Sequence, residues 1–399
     1  KEAFKNSNTQ LVELETKSVE DSQEKILLLG KIFNKEKQAQ VLVDAINHQL
    51  QTVSRKVERI PPGKRQRVIR LMGRDTVMTP GDESFQNEMI RTAGGIPPQL
   101  GRKGAVTPIS KEEWVKFNPQ VIYGCGGDRK TAESFFSRPG WKDVDAVKNG
   151  RIFYFPCELT CRASTNTGHF VGWLSARIYS DLYSKKEFQV SDGKMAKSRK
   201  ISLDLDYVKG ARIIYSTIND FLNKTLVIDF TQPLEILSTL EGTRTGIQTV
   251  GNHYSPPPSW SIEHKKGLSQ SRELIYNVLK ISADTSSFLF TGADMDHLAI
   301  VHKEFKDMKV YALVTAGVKS NALRMGKDEG KYYEPGTINI ILLSNMKLTP
   351  RAMTRAMISA TEAKTAALMD LDVRSSVAPR RHQATGTGTD NILVVQGTG

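Results

Sequence analysis

Strand-like and helix-like segments alternate through residues 64–184, and this alternation limits the possible folds of the first half of the chain. Predicted strands lie at residues 67–72, 121–123 and 151–155, and predicted helices at 84–93, 111–117 and 168–182. Such alternation is typical of an α/β layer with a mainly parallel sheet. Ligands of these sheets bind outside the carboxyl ends of the strands. The sequence therefore predicts an α/β domain with a ligand site at that edge.

A helical pattern precedes the alternation. Ser22 is a suitable N-cap, Glu24 lies in the first turn, and apolar residues then recur at helical spacing. Pro61 and Pro62 prevent the pattern from continuing. We therefore expect one long helix over residues 20–57.

The chain of 399 residues is long enough for two or three domains, and residues 185–200 mark a boundary between two of them. This stretch is polar, basic and poor in apolar residues, as a solvated tether would be. We therefore expect domains at residues 1–184 and 201–399 with a basic linker between them.

The second domain is predicted to be α+β. Strand-like runs lie at residues 201–207, 226–230, 287–291, 310–314, 338–343 and 392–395. Residues 241–262, rich in Gly, Thr and Pro, are expected to form an exposed loop or lid. Thr349 and Pro350 are typical of a helix N-cap and first position, and the helix is predicted to end near Leu371.

Composition excludes some classes of function. The net charge of +13 arises from scattered Lys and Arg without zinc-finger spacing or an RNA-recognition signature, which argues against nucleic-acid binding. The three cysteines, Cys125, Cys157 and Cys161, argue against a disulfide framework. Cys157 and Cys161 could pair or bind a metal, but packing is the preferred role for all three. No signal peptide and no apolar run long enough to cross a bilayer is present.

Three segments in the last ninety residues combine Gly with Ser, Thr or Asn beside apolar runs. They are residues 314–322, 334–340 and 384–391. Glycine allows the backbone to approach a ligand closely, and short polar side chains can then contact it. Any one segment is most simply a turn between strands, but three together favour a ligand site.

The first half resembles the substrate-binding proteins of iron-siderophore and cobalamin ABC transporters. The resemblance runs in order through Leu29-Gly30, Phe33 and Ala39, then 93–95, 118–122, Trp141 and 146–152. It implies a partial two-lobed periplasmic-binding-protein-like domain, consisting of a spine helix and the second lobe. The family has a whole lobe before the spine helix, and we expect only its tail here.

That resemblance also implies a partner. In the family, acidic residues of each lobe dock onto arginines of an ABC transporter permease. Glu158 lies near the position where the second lobe presents its carboxylate, although a solvated Glu at a strand end is an equal alternative. The protein would be extracytoplasmic or membrane-associated if this half is exported, and cytoplasmic otherwise.

The second half resembles the adenosylcobinamide amidohydrolases of corrinoid salvage. The matching segments are 291–295, 314–326, 335–340, 360–364 and 384–390. The family cleaves the amide that joins the propionyl arm of the corrin ring to aminopropanol, giving adenosylcobyric acid. The family usually continues past the last strand with a Gly- and His-containing segment and a helix, whereas this sequence stops at Gly399. The corrinoid is a substrate, and no cofactor or metal is required by the sequence.

Amide hydrolysis in this half needs a hydroxyl nucleophile or an activated water, because no Cys follows Cys161. Ser320 is the first candidate. The other candidate nucleophiles are Thr337, Thr387 and Thr389, and the candidate bases are Asp390, Glu362 and Asp294.

Substrate contacts are predicted from the same segments, with Thr337 and Thr389 among the substrate-binding residues. Gly386 and Gly388 can turn backbone N–H groups inward to hold an oxyanion. The amides predicted to bind the carboxamide rim of a corrin are those of Asn321, Asn339 and Asn391. A metal is a weaker alternative, because His297 and His302 with Asp294 and Asp296 lack the helical spacing of a zinc site.

Two other interpretations stay open. The second half could hold a corrinoid without cleaving it, as a binding protein. It could also be an unrelated amidase or peptidase whose Gly-Thr loops bind a different substrate. The fusion of a corrinoid-binding lobe with a corrinoid amidohydrolase is preferred because both halves then handle one class of ligand.

Overall fold

A computed structural model describes residues 14, 16–72, 76–191, 193–329 and 336–399. The chain divides into two compact units, Lys1–Val190 (unit 1) and Ser191–Gly399 (unit 2), and each is described by itself. The division falls inside the predicted basic linker, but most of that linker is not a tether. Residues Lys194–Ile201 form a strand whose side chains are almost all exposed. With both faces in solvent, the strand has no apolar alternation from which it could be predicted.

Unit 1 contains the predicted parallel sheet. Its strands are β1 (Val68–Arg70), β2 (Met78–Thr79), β3 (Thr107–Pro108), β4 (Val121–Cys125) and β5 (Ile152–Phe155). Its helices are α1 (Val19–Ile32), α2 (Glu36–Val57), α3 (Phe85–Thr92), α4 (Lys111–Phe117), α5 (Arg129–Phe136), α6 (Asp145–Lys148), α7 (Cys157–Thr160), α8 (Thr167–Ile178) and α9 (Ser180–Tyr183). Strands β1, β4 and β5 pair in parallel in that order. The α/β prediction for this half is confirmed.

The predicted single helix over residues 20–57 is instead two packed helices, α1 and α2. Asn34 adopts a left-handed backbone conformation with φ of 52°, which ends α1 and reverses the chain. Gln23 Nε2 then donates to Asn47 Oδ1 at 2.8 Å between the two helices. Apolar residues recur at helical spacing in both α1 and α2. The apolar pattern therefore did not indicate the turn between them.

The cysteines also differ from the packing role predicted for them. Cys125 at the end of β4 and Cys157 at the start of α7 form a disulfide, and Cys161 is a free, exposed thiol. Because β4 and β5 are adjacent and parallel, their carboxyl ends lie side by side. The disulfide therefore lies at the sheet edge where α/β domains bind ligands.

Unit 2 is built on a large mixed sheet. Its strands are β6 (Lys194–Ile201), β7 (Val208–Ile218), β8 (Phe221–Ser238), β9 (Gly242–Tyr254), β10 (Ser286–Thr291), β11 (Ala299–Phe305), β12 (Met308–Ala316), β13 (Ala322–Leu323), β14 (Ile338–Ser344), β15 (Gly386–Thr387) and β16 (Asn391–Val395). Its helices are α10 (Pro257–Lys266), α11 (Leu268–Leu279) and α12 (Pro350–Asp370). The main path of the sheet runs β10-β9-β8-β16-β14-β12-β11, and β7 pairs with β8 and β6.

The predicted loop or lid over residues 241–262 is therefore wrong. Most of it is β9, which pairs with β8 along much of its length, and the proline run opens α10. Threonine favours strands and proline is accepted at the first helical positions, so these residues suit the observed elements.

The core of unit 2 is enclosed by strands that are far apart in the strand order. One buried cluster contains Leu226 of β8, Val250 of β9, Leu313 of β12, Leu343 of β14 and Leu393 of β16. The sheet therefore curves until its two halves face each other across this core. On the opposite face of β14 and β16, the predicted helix α12 packs with Met353 and Leu368 buried. Among the described residues, no helix is long and apolar enough to span a membrane.

Candidate active site

The three Gly-rich segments of the second half meet at one end of the curved sheet. The carbonyl oxygen of Gly336 accepts a hydrogen bond from Asn321 Nδ2 at 2.9 Å and from Thr389 Oγ1 at 3.1 Å. Gly336 has a φ of 152°, which favours glycine, and an added Cβ would lie 2.6 Å from the carbonyl oxygen of Gly317. Glu334, which was predicted to open the second segment, lies outside the described residues.

Backbone and hydroxyl groups connect the segments further. The Thr337 hydroxyl donates to the Thr389 carbonyl oxygen, and the Gly317 N–H donates to the Thr337 carbonyl oxygen at 2.8 Å. Asn391 Nδ2 also donates to the Thr389 carbonyl oxygen, at 2.9 Å. Thr337 is buried, and the side chains of Thr337 and Asn391 both donate hydrogen bonds to the loop backbone at Thr389. Their geometry suits the shaping of a site better than direct attack on a substrate.

Asp390 is the centre of the third segment. Its Oδ1 accepts from the Ile338 N–H at 3.0 Å and the Thr387 hydroxyl at 2.5 Å. Its Oδ2 accepts from the Thr387 N–H at 3.0 Å and from Lys364 Nζ at 2.5 Å. A carboxylate offers about four lone-pair directions, and these four bonds use them. The structure therefore places Asp390 as a brace for the loop and leaves it little capacity as a general base.

Helix α12 supplies Lys364 to this segment, and also Thr365, whose hydroxyl donates to the Thr385 carbonyl oxygen at 3.2 Å. Neither residue was assigned to the site from the sequence. Both Lys364 and Asp390 are largely buried, with side-chain exposures of 13% and 14%. A Cβ on Gly386 would lie 2.8 Å from Lys364 Nζ, so a glycine allows the pair to form. The sequence did contain one signal for Lys364. This lysine lies among alanines on the side of α12 that was predicted to face the sheet.

Glu362, predicted as a candidate base, is not brought to the loops. It is exposed on α12, and at about 100° per residue it lies roughly 160° around the helix from Lys364. Thr361 on the same helix donates to the Met357 carbonyl oxygen at 2.9 Å, so its polar group is satisfied by the helix itself.

Ser320, the first candidate nucleophile, is half-buried in the turn that follows β12, next to buried Asn321. Gly388 faces Asn321, because an added Cβ would lie 3.4 Å from both amide atoms. Within the third segment, the N–H of Thr387 donates to Asp390 and the N–H of Thr389 donates to the Thr387 hydroxyl at 3.3 Å. Two N–H groups of the predicted oxyanion nest thus already donate within the loop, and the exposed residues of this part are Gly388 and Thr389.

Below these loops, a buried amide network crosses the interior. Asn339 Nδ2 donates to Asn252 Oδ1 at 2.8 Å and to the Phe290 carbonyl oxygen at 3.0 Å. Asn252 Nδ2 in turn donates to Thr315 Oγ1 at 2.9 Å. Asn339 Oδ1 is buried and has no hydrogen-bond partner among the described groups. Asn339 was predicted to contact a corrin, but the structure places it at the floor of the site, where it connects strands that face each other.

A second charged cluster lies at the same end of the sheet. Lys224 Nζ of β8 contacts both oxygens of Asp294 at 2.6 and 2.7 Å and Asp296 Oδ2 at 2.5 Å, and the Tyr215 hydroxyl donates to Asp296. Burial lowers the pKa of Lys224, but the bonds to both aspartates outweigh burial and the net shift is upward. For Asp296, burial raises the pKa, whereas Lys224 and Tyr215 lower it further, and the net shift is downward. Both shifts favour the charged forms of Lys224 and Asp296 at neutral pH.

The weaker metal alternative had grouped Asp294 and Asp296 with two histidines. The structure gives both carboxylates to Lys224, while His297 and His302 are exposed, His302 on the edge strand β11. Among the described residues, no three His, Cys, Asp or Glu side chains are grouped as a metal site requires.

His253 is a buried group that sequence reasoning missed. Its Nδ1 lies 2.7 Å from Thr225 Oγ1, and its Nε2 has no partner among the described groups. Burial lowers its pKa to about 3, so the imidazole is neutral. Since His253 follows Asn252 on β9, it points to the opposite face of the sheet from the amide network.

In unit 1, Glu158 lies in α7, directly after β5, and its side chain is exposed. The position is at the carboxyl edge of the parallel sheet, beside the disulfide cysteine Cys157. An exposed carboxylate at this edge is accessible to a partner, and its role in docking stays a prediction.

The gathered groups suit the binding of a neutral, polar ligand. Hydroxyls and amides of the loops offer donors and acceptors, Ser320 offers a half-buried hydroxyl, and Lys364 and Lys224 are each paired with aspartates. The hydrogen-bond donors of such a surface can orient an amide and stabilise a developing oxyanion.

Comparisons with known proteins agree with this division of the chain. Residues 204–399 match the family described as adenosylcobinamide amidohydrolase, and residues 2–159 match the family described as periplasmic binding protein. An uncharacterized protein of Methanocaldococcus jannaschii is 39% identical over 218 residues, which cover 49% of this chain and 84% of that protein.

Two further relatives match one half each. An uncharacterized ABC transporter substrate-binding lipoprotein of Bacillus subtilis is 26% identical over 161 residues, covering 40% of this chain and 50% of that protein. The adenosylcobinamide amidohydrolase of Methanosarcina mazei is 32% identical over 120 residues, covering 30% of this chain and 50% of that enzyme. The chain thus spans about half the length of both relatives.

Among solved structures, a possible iron-binding periplasmic solute-binding protein of Staphylococcus epidermidis is 23% identical with a TM-score of 0.40. The match covers 45% of this chain and 69% of that protein. An ABC transporter substrate-binding protein of Listeria monocytogenes is 22% identical, also with a TM-score of 0.40, covering 45% and 71%.

Proposed function

We propose that the protein binds corrinoids and hydrolyses adenosylcobinamide, because residues 204–399 match the family described as adenosylcobinamide amidohydrolase and residues 2–159 match the family described as periplasmic binding protein. Ser320 Oγ adds to the carbonyl carbon of the amide between the corrin propionyl arm and aminopropanol, the C–N bond breaks, and the hydroxyl proton is transferred to the departing amine. Water then hydrolyses the corrinoid ester on Ser320, which gives adenosylcobyric acid and restores the hydroxyl.

The observation that carries this proposal is the meeting of the three polar segments of unit 2 at one place. Asn321 and Thr389 both donate to Gly336, so residues 320–321, 336–337 and 387–391 form one wall. In the proposed reaction, Ser320 is the nucleophile, and Asn321 and the backbone N–H of exposed Gly388 bind the reacting carbonyl. Thr387, Thr389 and Asp390 hold that wall in place, with Gly386 making room for Lys364.

The direct test is to incubate the full chain with adenosylcobinamide and to look for adenosylcobyric acid by mass spectrometry. Product that accumulates with time and protein concentration supports the hydrolase. Absence of product across a range of pH and added divalent metals would contradict it.

Ser320→Ala tests the nucleophile. We expect the variant to lose roughly a thousandfold or more in kcat, because covalent catalysis needs the hydroxyl. Ser359→Ala is the matched control, since Ser359 is an exposed serine on α12 away from the gathered loops. Full activity in Ser320→Ala would show that another hydroxyl or a water makes the attack.

A second function, corrinoid binding without hydrolysis, is favoured by one observation. Several of the predicted reactive groups already bond within the wall: Thr337 to Thr389, and Thr387 to Asp390. A spectral titration with cobinamide that gives saturable binding but no product would support this alternative.

For unit 1, we infer a role in capturing a small molecule, with docking onto an ABC transporter permease through Glu158. The exposed position of that carboxylate after β5 supports the inference. Glu158→Lys should weaken co-purification with a permease while leaving cobinamide binding unchanged. Glu112→Lys, an exposed carboxylate in the first turn of α4, serves as the control.

A further inference from the structure

Lys224 is a charged side chain that unit 2 nearly buries, with 10% of the side chain exposed. An ammonium has three donors and no acceptor, and the contacts to Asp294 and Asp296 use all three. Lys224 is therefore saturated by the protein, and any effect on a substrate must pass through the two aspartates.

Those aspartates belong to the turn that leaves β10, residues 292–296. Asp294 Oδ1 also accepts from the Asp296 N–H at 2.9 Å, which closes the turn. One residue earlier, Ala293 Cβ lies 3.4 Å from the position of a Cβ on Gly317. The turn held by Lys224 thus packs directly against the start of the segment that carries Ser320.

Aromatic rings restrict the ammonium further. Its Nζ lies 5.9 Å from the ring centroid of Tyr215 and 5.7 Å from that of Tyr254. Cations are attracted to ring faces at such distances. Tyr215 also donates to Asp296, so one residue orients both partners of the ion pair.

Stability alone is a weak reason for this arrangement. Burying charges costs hydration free energy, and apolar residues of similar size often stabilise a core equally well or better. A buried ion pair does, however, fix the relative position of its partners, because a displacement leaves a charge without a partner.

We propose that Lys224 is a positioning residue for the amide hydrolysis: by holding the 292–296 turn against Gly317, it sets the position of Ser320 relative to the substrate arm. This inference rests on the proposed function, since it names a residue that prepares the same site. It predicts a loss of catalytic rate with little change in corrinoid affinity.

The test compares Lys224→Met with Lys309→Met in the full chain. Lys309 of β12 is a matched control because its Nζ also lies between two carboxylates, Asp204 at 2.6 Å and Glu304 at 3.2 Å, but not at the gathered loops. We expect Lys224→Met to reduce kcat by roughly 100-fold, as small displacements of reacting groups do, with KM changed less than about threefold. Lys309→Met should change both by less than about twofold.

A second variant separates charge from packing. In Lys224→Met, Asp294 and Asp296 face each other without the cation that joined them. Lys224→Met/Asp296→Asn removes that repulsion, so we expect it to recover roughly tenfold of the lost kcat. No recovery, together with equal effects of Lys224→Met and Lys309→Met on kcat, would overturn the positioning role.

Hydrogen exchange distinguishes failure of this inference from failure of the proposed function. If the wild type forms no adenosylcobyric acid, the proposed function fails. Hydrogen exchange can still report whether Lys224 holds the 292–296 turn against residues 317–321. Backbone amides of residues 317–321 should then exchange faster in Lys224→Met than in Lys309→Met. Equal exchange in the two variants would overturn the inference whatever the activity of the wild type.

Discussion

Each unit contains a glycine at a tight contact, and the two glycines differ in the atoms that an added Cβ would meet. In unit 1, a Cβ on Gly30 of α1 would lie 2.5 Å from Cβ of Ala39 on α2. In unit 2, a Cβ on Gly251 of β9 would overlap the Leu226 carbonyl oxygen and the Phe288 ring. Two packed helices can shift by a few tenths of an ångström, whereas β9 is bonded to a strand on either side.

The contrast extends to how each unit is assembled. The helices α1 and α2 are consecutive in sequence and meet through side chains. The candidate site of unit 2 joins segments that lie tens of residues apart, and it does so through backbone carbonyls and buried amides. We therefore expect substitutions at the centre of unit 2 to cost more than equivalent substitutions in unit 1.

The largest effect is expected for Gly251→Ala. The new methyl group must displace a carbonyl oxygen within the sheet, so we expect a loss of about 3 kcal/mol or more in the free energy of unfolding. Urea denaturation measures it. Gly210→Ala on β7 is the control, because nothing lies within 4 Å of its added Cβ, and it should stay within about 0.5 kcal/mol of wild type. Equal losses of unfolding free energy in Gly251→Ala and Gly210→Ala would show that the sheet accommodates the added methyl group.

Asp390→Ala should follow, with a loss of about 3 kcal/mol. The variant leaves Lys364 largely buried without its carboxylate, and one-sided removal of a buried ion pair is costly. In unit 1, Asp145→Ala removes the partner of Arg67 at a half-exposed site and should cost less than about 1 kcal/mol. Chemical denaturation of the two variants gives the comparison, and similar losses would contradict the bracing role of Asp390.

Acidification should destabilise unit 2 through His253. Its folded pKa is about 3, whereas an unfolded histidine has a pKa of roughly 6.5, so below that pH the unfolded chain binds the extra proton. Stability is therefore lost as pH falls from about 6.5 towards 3, by about 2 kcal/mol between pH 7 and 5.

His253→Gln should flatten that pH dependence, whatever it does to stability at pH 7. His302→Gln, which changes an exposed histidine on β11, should leave the slope as in the wild type. Free energies of unfolding at pH 7 and pH 5 for the three proteins decide the matter. An unchanged slope in His253→Gln would assign the pH dependence to other groups.

The smallest effect is expected for Gly30→Ala, at about 1 kcal/mol, because α1 can move away from Ala39. Gly63→Ala, where nothing lies within 4 Å of the added Cβ, is its control and should be near neutral. Thermal unfolding of both variants measures the difference. A cost as large as that of Gly251→Ala would remove the distinction between the two units.

Local patterns predicted most of the elements. The capping box of Ser110 and Glu113 opens α4, and Thr349 caps α12 with Pro350 behind it, as their residue types indicate. Two of the elements that were missed or misassigned, β6 and β9, owe their structure to pairing with a neighbouring strand. Neither has the apolar alternation from which a strand is recognised.

The candidate site was predictable to a similar degree. The Gly-Ser/Thr/Asn segments were recognised from composition, and the structure brings them together. Lys364 and Lys224 were not assigned to the site. The alanines around Lys364 mark its position as unusual, but the local sequence of neither lysine indicates which aspartate it contacts. The position of Glu362 on the far side of α12 follows from helical geometry, but only once the sheet-facing side is known.

The sequence by itself determined periodicity, caps and turns, and with them the α/β character of unit 1, because these depend on residues within a few positions of one another. Tertiary structure decided which strands face each other, that Cys125 meets Cys157, and that Asp390 and Lys224 are neutralised by partners 26 and 70 or more residues away. These pairings are selected because they let the whole chain bury its charges and apolar surface at the lowest free energy. No local segment contains that information.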